Sequence, residues 1–456
     1  MHCSSTAAYY TKISAIYQDS MDSKRKQALV VFYFCLTVLT GSTYSIMQKI
    51  QNETKGKTTT FDHPFIQSFL CCIGEMMAFI VLAVKNRVEK KKLQKNADSV
   101  LLQKAYGNKD QIQSFDESAT MQTEQQVEIK KYLFAIPAWL DMTESVLKNI
   151  ATTMIAASIV QMLRGSVFIY CALLGLFFLK KPLYRHHFFA MMPILGGLVL
   201  VGIAFYLKSD QSKTYSFSDM LLGFILLQIG QIFGAFAFVA EEKFLGEYED
   251  LDPLVVVGWE GVWGFLLWLV LLPIFQNIPC DNKLICTNGV IEDTLGAIDD
   301  YAANPTLILL SITLILDVSL LNIAGVNVTK YGSSAQRTTC DLLRNMFVWV
   351  FFLFVPIYNA QTDSYQYIEM FSMFQFFGFI VLTFGVLVYN EIVVLPCWRL
   401  NQYTRIAIGE REKMKESQRT ISVVSDDDSR GQSDDSGFYN KQRAFGNSTK
   451  DKDILY

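Results

Sequence analysis

Two arginines lie inside long apolar stretches of the chain, and the residues that precede them follow one pattern. The segment SIVQMLR ends at Arg164, and the segment TTCDLLR in the second half of the chain ends at Arg344. In both segments a hydroxyl residue stands six positions before the arginine, and a hydrogen-bonding residue, Gln161 or Asp341, stands three positions before it. A guanidinium group can bind an anionic group through two parallel hydrogen bonds. The pattern therefore predicts two anion-binding side chains, each one helical turn from a polar neighbour.

An arginine deep inside a membrane-spanning stretch is costly unless it faces a cavity or a partner. Matching polar stripes in the two halves of one chain favour a transporter with an internal repeat. The alternative is that each arginine only packs between helices or extends its charge towards the membrane surface. The functional interpretation is preferred because ionisable residues inside membranes are by default functional.

Other polar residues in apolar stretches complete the candidate site. Asp141, Glu144, Ser145 and Lys148 follow one another at steps of three and four and share a helix face, although Glu144 and Lys148 could instead pair with each other. The predicted solute-binding residues are Arg164, Arg344, Gln161, Asp341, Lys148, Asn149 and Asn322. A carboxyl group in such a cavity can carry a proton. The predicted proton carriers are Asp341, Glu144, Asp317 and Glu260.

The composition is that of a membrane protein. Of the 456 residues 51% are hydrophobic and 18% are charged, and 34 are phenylalanine. The sequence has no separate basic domain with interleaved aromatic residues, so nucleic acid is not expected as a partner. All four histidines lie outside the apolar stretches, which argues against a histidine-ligated metal in the membrane. No nucleophile–base pair indicates an enzyme, and no cofactor is expected.

The apolar stretches have the length of membrane-spanning helices, since about 20 residues cross roughly 30 Å of hydrocarbon. The ten candidate spans cover residues 28–47, 65–84, 132–149, 155–179, 188–207, 220–240, 254–275, 306–324, 338–357 and 368–389. The expected fold class is an all-α multi-pass membrane protein with ten transmembrane helices. The third span is the least regular of them, because three charged residues interrupt it.

The spans divide into two repeats of five helices, over residues 28–207 and 220–389. The sequence Asn-Ile-Ala closes the third span at Asn149 and the eighth span at Asn322. Because five is an odd number, the second repeat must enter the membrane upside down. Arg164 and Arg344 should then approach the midplane from opposite sides, an arrangement that suits alternating access.

Basic residues in the connections predict the orientation. The connections on the side of the N-terminus hold sixteen lysines and arginines, and those on the opposite side hold six. This imbalance favours cytosolic termini. The N-terminal segment 1–27, the polar loop 85–131 and the tail 398–456 are then cytosolic, and the loop and the tail are predicted to be disordered.

Two of these segments carry further features. The acidic loop 276–305 faces the lumen in this orientation, and its Cys280 and Cys286 are predicted to form a disulfide, with two free thiols as the alternative. Serines followed by aspartates make the tail a plausible kinase substrate. Short tyrosine-based patterns at Tyr10 and Tyr403 are compatible with sorting machinery as a partner.

Several motifs resemble one family. These are Ser158-x-x-Gln-Met-Leu-Arg-Gly with Phe-Leu-Lys-Lys at 178–181, Glu-Glu-Lys-Phe at 241–244, Gly-Trp-Glu-Gly at 258–261 and Asp-x-Leu-Arg at 341–344. They are similar to the fourth, sixth, seventh and ninth helices of solute carrier family 35, F branch, the nucleotide-sugar-transporter-like group. The resemblance covers about residues 30–390. It implies the drug/metabolite transporter superfamily, with ten helices in two inverted repeats that move small organic solutes. The group also lies near the chloroquine-resistance-transporter-like proteins of digestive-compartment membranes.

Two functions from different classes follow. The first is a secondary transporter of a small polar or anionic organic solute across an internal membrane, by alternating access and with proton coupling as an option. The second is a membrane receptor or scaffold that acts through its cytosolic loop and tail. Charged stripes in both repeats favour the transporter, because a scaffold does not need them. The lipid bilayer surrounds the protein in either case, a homodimer is compatible with the sequence, and the expected location is an endosomal, lysosomal or Golgi membrane.

The orientation can be tested by glycosylation. Asn52, Asn327 and Asn447 begin the three Asn-x-Ser/Thr sequons, and only Asn52 faces away from the cytosol in the predicted topology. Only Asn52 can then receive a glycan. Glycosidase treatment of the expressed protein should therefore either leave its mass unchanged or shift it through Asn52 alone, with Asn52→Gln as the control. A glycan on Asn327 or Asn447 would show that the orientation is inverted.

Overall fold

A computed structural model describes most of the chain. The described residues are 3–57, 60, 61, 63–106, 130–155, 160, 163–211, 217–248, 251–280, 286, 288–359, 364–366, 372–404, 407–412, 414 and 415. Side chains at 3–24, 26, 96–106, 153, 204–211, 217, 359, 366 and 397–399 are outside the description.

Helices dominate the described residues. In chain order they are α1 (Cys3–Glu53), α2 (Pro64–Met76), α3 (Ala78–Tyr106), α4 (Ala135–Met154), α5 (Ser166–Phe178), α6 (Arg185–Gln211), α7 (Phe217–Glu247), α8 (Pro253–Asn277), α9 (Thr294–Ala303), α10 (Pro305–Tyr331), α11 (Ser334–Phe354) and α12 (Met373–Tyr389). Short 3₁₀ helices cover Lys131–Phe134 and Cys397–Tyr403. The strands β1 (Ile357–Asn359) and β2 (Ser364–Gln366) pair antiparallel.

Six helical segments in the described part of the chain are long and apolar enough to cross a membrane. They are Gln27–Glu53, Pro64–Lys95, Arg185–Ile203, Ser218–Glu247, Pro253–Asn277 and Pro305–Tyr331. The helices α5 and α12 are apolar but shorter. The expectation of an all-α multi-pass membrane protein is confirmed, because several helices are apolar on all sides and long enough for a bilayer.

Each predicted span overlaps a helix, but several limits differ. The α11 helix begins four residues before the predicted span because Ser333 caps it, with the Ser333 hydroxyl accepting a hydrogen bond from Gln336 N at 3.2 Å. Within the predicted fourth span, 155–179, Val160 and Leu163 are also helical, and the helix α5 begins at Ser166. Bonds from Val167 N to Arg164 O and from Phe168 N to Gly165 O span three residues, which marks a change of helix geometry beside the arginine.

Two connections contain structure that the sequence analysis did not anticipate. The α3 helix continues to Tyr106, into the first part of the loop 85–131 predicted to be disordered, and residues 107–129 lie outside the description. The acidic connection 276–305 contains α9. Asp293 caps its start, since the Asp293 side chain accepts a hydrogen bond from Gly296 N at 2.9 Å. Burial acts to raise the pKa of Asp293, but hydrogen bonds from Asn288, Gly296 and Gln276 hold this pKa below its usual value.

Ion pairs identify the two ends of the bundle. At the first, here called the Glu242 end, the Glu242 carboxylate contacts Lys181, which follows α5, and accepts a 2.6 Å hydrogen bond from the Ser334 hydroxyl at the start of α11. At the opposite end, called the His63 end, His63 lies between Glu292 and Asp300. Its Nδ1 is 2.7 Å from Glu292 Oε1, and its Nε2 is 3.4 Å from Asp300 Oδ2.

The core lies between the helices, and apolar side chains also cover the outside. One buried cluster joins α5, α6 and α12 through Phe168, Ile194 and Leu382. On the outer surface, Phe177 and Met192 are exposed by 70% or more. Exposed large apolar side chains are expected where lipid replaces water as the surroundings.

The pairing of α6 with α12 is close, and it depends on glycine. A methyl group in place of hydrogen on Gly197 would lie 2.7 Å from the backbone oxygen of Gly378, whereas one on the adjacent Gly196 would have no atom within 4 Å. Such close approach of backbones is the usual reason for small residues between membrane helices.

This pairing gives a matched test of the fold. Replacement Gly197→Ala should lower the free energy of unfolding by about 1–3 kcal/mol, because the added methyl group forces two backbones apart. Replacement Gly196→Ala, one position away, should leave stability unchanged or raise it, since alanine favours the helix. Thermal unfolding of both variants in the same detergent measures the difference. Equal midpoints would contradict the described packing of α6 on α12.

Candidate functional site

A cavity of about 610 Å³ lies inside the bundle, between α1, α2, α4, α7, α8, α10 and α11 and the start of α5. Its wall is polar although the helices that form it are apolar. The charged residues that line it are Lys49, Glu75, Asp141, Glu144, Lys148, Arg164, Glu241, Glu260, Arg337, Asp341 and Arg344. A cavity that collects charged groups at this depth is where ionisable residues in a membrane protein can remain solvated.

Most of the predicted site residues line this one cavity. They are Arg164, Lys148, Asn149, Asn322, Asp341, Arg344, Glu144 and Glu260. Gln161 lies outside the described residues. Asp317 is not part of the wall, since the cavity face of α10 is formed by Val318, Leu321, Asn322 and Gly325. Successive helix positions differ by about 100°, so Asp317 points aside, towards Thr43 of α1.

Two arginines of α11 have carboxylate partners. Arg344 Nη2 lies 3.2 Å from Asp341 Oδ1, one turn earlier on the same helix. Arg337 contacts Glu241 of α7, and its guanidinium also lies 4.4 Å from the ring centroid of Phe238. Both side chains are buried, so these pairs lower the cost of placing the charges between helices.

Two of the three cations that the first half of the chain contributes to the wall have no carboxylate in contact. Lys49 pairs with Glu53 at 3.1 Å, whereas neither Lys148 nor Arg164 forms an ion pair within the part of the chain that the structure describes. Glu144 does not form the alternative pair with Lys148, and its Oε1 atom accepts a 3.2 Å hydrogen bond from Gln231 of α7. The charges of Lys148 and Arg164 are close enough to act on each other, and those of Asp141 and Glu144 also act on Lys148.

Carboxyl groups gather around Arg337. Glu75 of α2 accepts a 2.8 Å hydrogen bond from Asn322 of α10, Glu241 contacts Arg337 itself, and Glu260 of α8 is close enough for its charge to act on both glutamates. The Glu260 Oε1 atom is buried without a hydrogen-bond partner among the described residues. Three carboxyl groups therefore lie around one guanidinium, and of the three it is Glu241 that is in contact with it.

The last turns of α1 contribute a strip of the wall that the sequence analysis did not assign to the site. Tyr44, Gln48 and Asn52 line the cavity, at a spacing of four residues that places them on one helix face. The Tyr44 hydroxyl lies 2.9 Å from Cys71 Sγ, and Gln67 Nε2 donates to Asn52 Oδ1 at 2.6 Å. The spacing of four residues was the sequence signal that could have identified this strip. It was missed because polar residues at the end of a span usually mark the membrane surface.

The cavity reaches terminal turns of helices at both ends of the bundle. At the His63 end it reaches Asn52, Pro64 and Thr152, in the terminal turns of α1, α2 and α4. At the Glu242 end its wall includes Pro137 and Arg337, in the first turns of α4 and α11, and the contacts of Glu242 with Lys181 and Ser334 lie beside it.

One group of side chains in the described ranges has spacing compatible with a metal ion. Ligand atoms of His186, His187 and Glu391 lie within 4.8 Å of one another. The Nδ1 atom of His187 accepts a 3.0 Å hydrogen bond from Tyr184 N. The neutral ring then carries its hydrogen on Nε2 and has no lone pair for a metal. The donor set does not fit a three-ligand metal centre.

Two modification sites remain predictions. The structure places the sulfur atoms of Cys280 and Cys286 within bonding distance, with their Cα atoms 5.8 Å apart. Asn52, the predicted glycan acceptor, lies half-buried in the last turn of α1.

The fold and the site define a class, a multi-pass helical membrane protein that encloses a charged cavity. Residues 114–362, more than half of the chain, match the model of the family described as CRT-like, chloroquine-resistance transporter-like. The chain is 30% identical over 371 residues to mouse "Solute carrier family 35 member F6", across 79% of this chain and 87% of that protein. The human protein of the same name is 28% identical over 397 residues, across 86% and 96%.

The chain belongs to the CRT-like family, and the resemblance to the F branch of solute carrier family 35 is confirmed. A fission yeast relative, "Uncharacterized protein C12G12.12" of Schizosaccharomyces pombe, is 27% identical over 266 residues, across 58% of this chain and 76% of that protein.

The carboxyl groups around Arg337 lead to a stability prediction. Replacement Arg337→Gln leaves Glu241 buried beside Glu75 and Glu260 without its cation, so the free energy of unfolding should fall by about 3–5 kcal/mol. Adding Glu241→Gln to that variant should recover part of the loss, because the uncompensated charge is removed. Thermal unfolding in detergent measures both.

The control for this prediction is Lys243→Gln, which removes an exposed lysine from the same helix as Glu241. Its effect should stay within about 0.5 kcal/mol. An Arg337→Gln variant as stable as Lys243→Gln would contradict the described network.

Proposed function

We propose that this protein is a secondary transporter that moves a small polar or anionic organic solute across an internal membrane by alternating access. One observation carries the proposal. Lys148 and Arg164 face the same enclosed cavity, near each other and without ion pairs among the described residues. The membership of a family named for transporters agrees with it.

The charge of these two residues favours an anionic group in the solute. Two like charges held close together between helices repel each other. A carboxylate or phosphate between them would remove the repulsion and would accept charge-assisted hydrogen bonds from both. Arg344 is a weaker candidate for direct contact, because Asp341 already occupies part of its guanidinium. Lys148 and Arg164 are therefore the preferred solute-binding pair, in place of the matching arginines Arg164 and Arg344.

Proton coupling is supported by the charge balance around Arg337. Glu75, Glu241 and Glu260 offer three negative charges to one positive charge, and a bound proton would reduce that excess. Glu260 is the preferred carrier because its Oε1 atom has no hydrogen-bond partner in the described ranges. Asp341 and Glu144 also line the cavity, whereas the position of Asp317 outside the wall argues against its inclusion.

The arrangement of two inverted five-helix repeats explains how the solute would pass. Arg164, just before α5, and Arg344, on α11, come from matching places in the two halves and line one cavity. The cavity extends to the His63 end, while Lys181 of the first half contacts Glu242 of the second half at the other end. Breaking that contact and closing the His63 end would give the opposite state.

The predicted orientation assigns the Glu242 end to the cytosol. Both termini would then be cytosolic, with the acidic tail available to kinases and sorting machinery. An endosomal, lysosomal or Golgi membrane is the proposed location.

The test is uptake by purified protein in proteoliposomes, with a panel of metabolites and with or without a pH gradient. For a transported anion, Arg164→Gln and Lys148→Gln should each lower uptake about tenfold, equivalent to roughly 1.4 kcal/mol, at unchanged abundance and thermal stability. Lys243→Gln is the matched control outside the cavity and should transport normally. Normal transport by both cavity variants would refute the proposed role of these cations and would raise the scaffold alternative.

A second variant separates proton coupling from solute binding. Replacement Glu260→Gln keeps the size of the side chain but removes the ionisable group. It should preserve exchange of solute between the two sides and abolish accumulation driven by the pH gradient. Accumulation equal to that of the unmodified protein would exclude Glu260 as the carrier.

A further inference from the structure

Gly41 and Gly234 make room for charged side chains of the cavity that come from the other half of the chain. A methyl group on Gly41 of α1 would overlap Cδ of Arg344 and lie 3.1 Å from its Nη1 atom. A methyl group on Gly234 of α7 would overlap Oε2 of Glu144 and lie 2.7 Å from its Cδ atom. Both charged side chains therefore pass directly over a helix surface that has no side chain of its own.

Each of these contacts joins the two halves of the chain. Gly41 lies in the first half and admits Arg344 from the second, whereas Gly234 lies in the second half and admits Glu144 from the first. The two glycines also occupy similar places, each towards the end of the first helix of its half.

Gly325 of α10 similarly faces Arg337, whose Nε would lie 3.0 Å from an added methyl group, but both residues belong to the second half. Several other helix glycines of the described chain have different surroundings. Gly197, Gly378 and Gly385 approach backbone atoms of a neighbouring helix, which is ordinary close packing. Gly196 and Gly202 would meet no atom within 4 Å. A glycine inside a helix costs about 1 kcal/mol relative to alanine, so a glycine under a charged side chain needs a compensating gain. At Gly41 and Gly234 that gain is the path by which a charge reaches the cavity.

We propose that Gly41 and Gly234 are positioning residues, which hold Arg344 and Glu144 in the cavity by leaving the space that these side chains cross. A methyl group at Gly41 blocks the path from Cδ to Nη1, so Arg344 must turn away and lose its contact with Asp341. A methyl group at Gly234 displaces the Glu144 carboxylate from Gln231. The inference rests on the proposed function only in that the placed charges serve a solute.

The experiment measures the charge of the cavity directly and needs no transported solute. Ser145 of α4 lines the cavity, and Ser145→Cys introduces a thiol there. Two reagents of similar size then compete for it, the anionic 2-sulfonatoethyl methanethiosulfonate and the cationic 2-trimethylammonioethyl methanethiosulfonate. Mass spectrometry of the modified peptide gives the ratio of the two rates, and this ratio reports the local potential.

The expected shifts have opposite signs. Gly41→Ala should lower the ratio of anionic to cationic modification about threefold or more, as Arg344→Gln does, because a positive charge leaves its place. Gly234→Ala should raise the ratio by a similar factor, as Glu144→Gln does. Gly202→Ala should leave it unchanged, and Gly197→Ala should lower the unfolding midpoint without changing the ratio.

Double variants decide whether each glycine acts through its charged partner. Gly41→Ala should add nothing in the Arg344→Gln background, and Gly234→Ala should add nothing in the Glu144→Gln background. An equal shift in those backgrounds, no shift in the single variants, or shifts of the same sign would overturn the proposal. If Gly41→Ala alone does not fold, the pair with Arg344→Ala decides, since recovery of folded protein supports the clearance and continued loss overturns it.

These outcomes are distinguishable from the fate of the proposed function. The modification ratios can behave as expected in a protein that moves no solute, in which case the positioning role stands and the transporter proposal fails. If the protein transports solute normally but the glycine variants leave the modification ratio unchanged, the positioning role fails and the transporter proposal stands.

Discussion

The cost of placing charged side chains between apolar helices is the constraint on which the rest of this structure depends. Arg337 and Arg344 of α11 are buried, and each has a carboxylate in contact. Burial of such pairs is tolerated only with good geometry and further hydrogen bonds. The bundle therefore surrounds them with polar groups from several helices, and the space among these groups is the cavity. The buried charges and the cavity therefore result from the same packing of helices.

The same constraint explains why polar atoms and glycines take part in the contacts between the halves, beside the apolar clusters. Apolar helices gain little from mutual contact in lipid, so close backbone approach and hydrogen bonds help to hold them together. Gly197 against Gly378 shows close backbone approach, and Asn322 with Glu75 shows a hydrogen bond. At the Glu242 end, one carboxylate contacts Lys181 of the first half and Ser334 of the second. The proposed alternating access would require contacts of this size to be exchanged for others.

Much of the candidate site was accessible from the sequence because ionisable residues are rare in apolar stretches. Lys148, Arg164, Glu260 and Asp341 stood out for this reason alone, and all four line the cavity. Asp317 is also ionisable and lies in an apolar stretch, but it does not line the cavity. The position of a residue along an apolar stretch does not determine whether its side of the helix faces the cavity. Tyr44, Gln48 and Asn52 were missed, since the end of a span is where polar residues are ordinary.

The sequence was sufficient to predict the class of protein, its apolar helices and its family, because long apolar stretches can be satisfied only as membrane helices whose backbone bonds are internal. It also determined which residues are costly to bury. Only the tertiary structure decided which of those residues are paired. Arg337 meets Glu241 of α7, Glu144 meets Gln231 of α7 rather than Lys148, and Arg164 is left beside Lys148. Pairing depends on distances of a few ångströms between helices far apart in the chain, and periodicity within one helix carries no information about them.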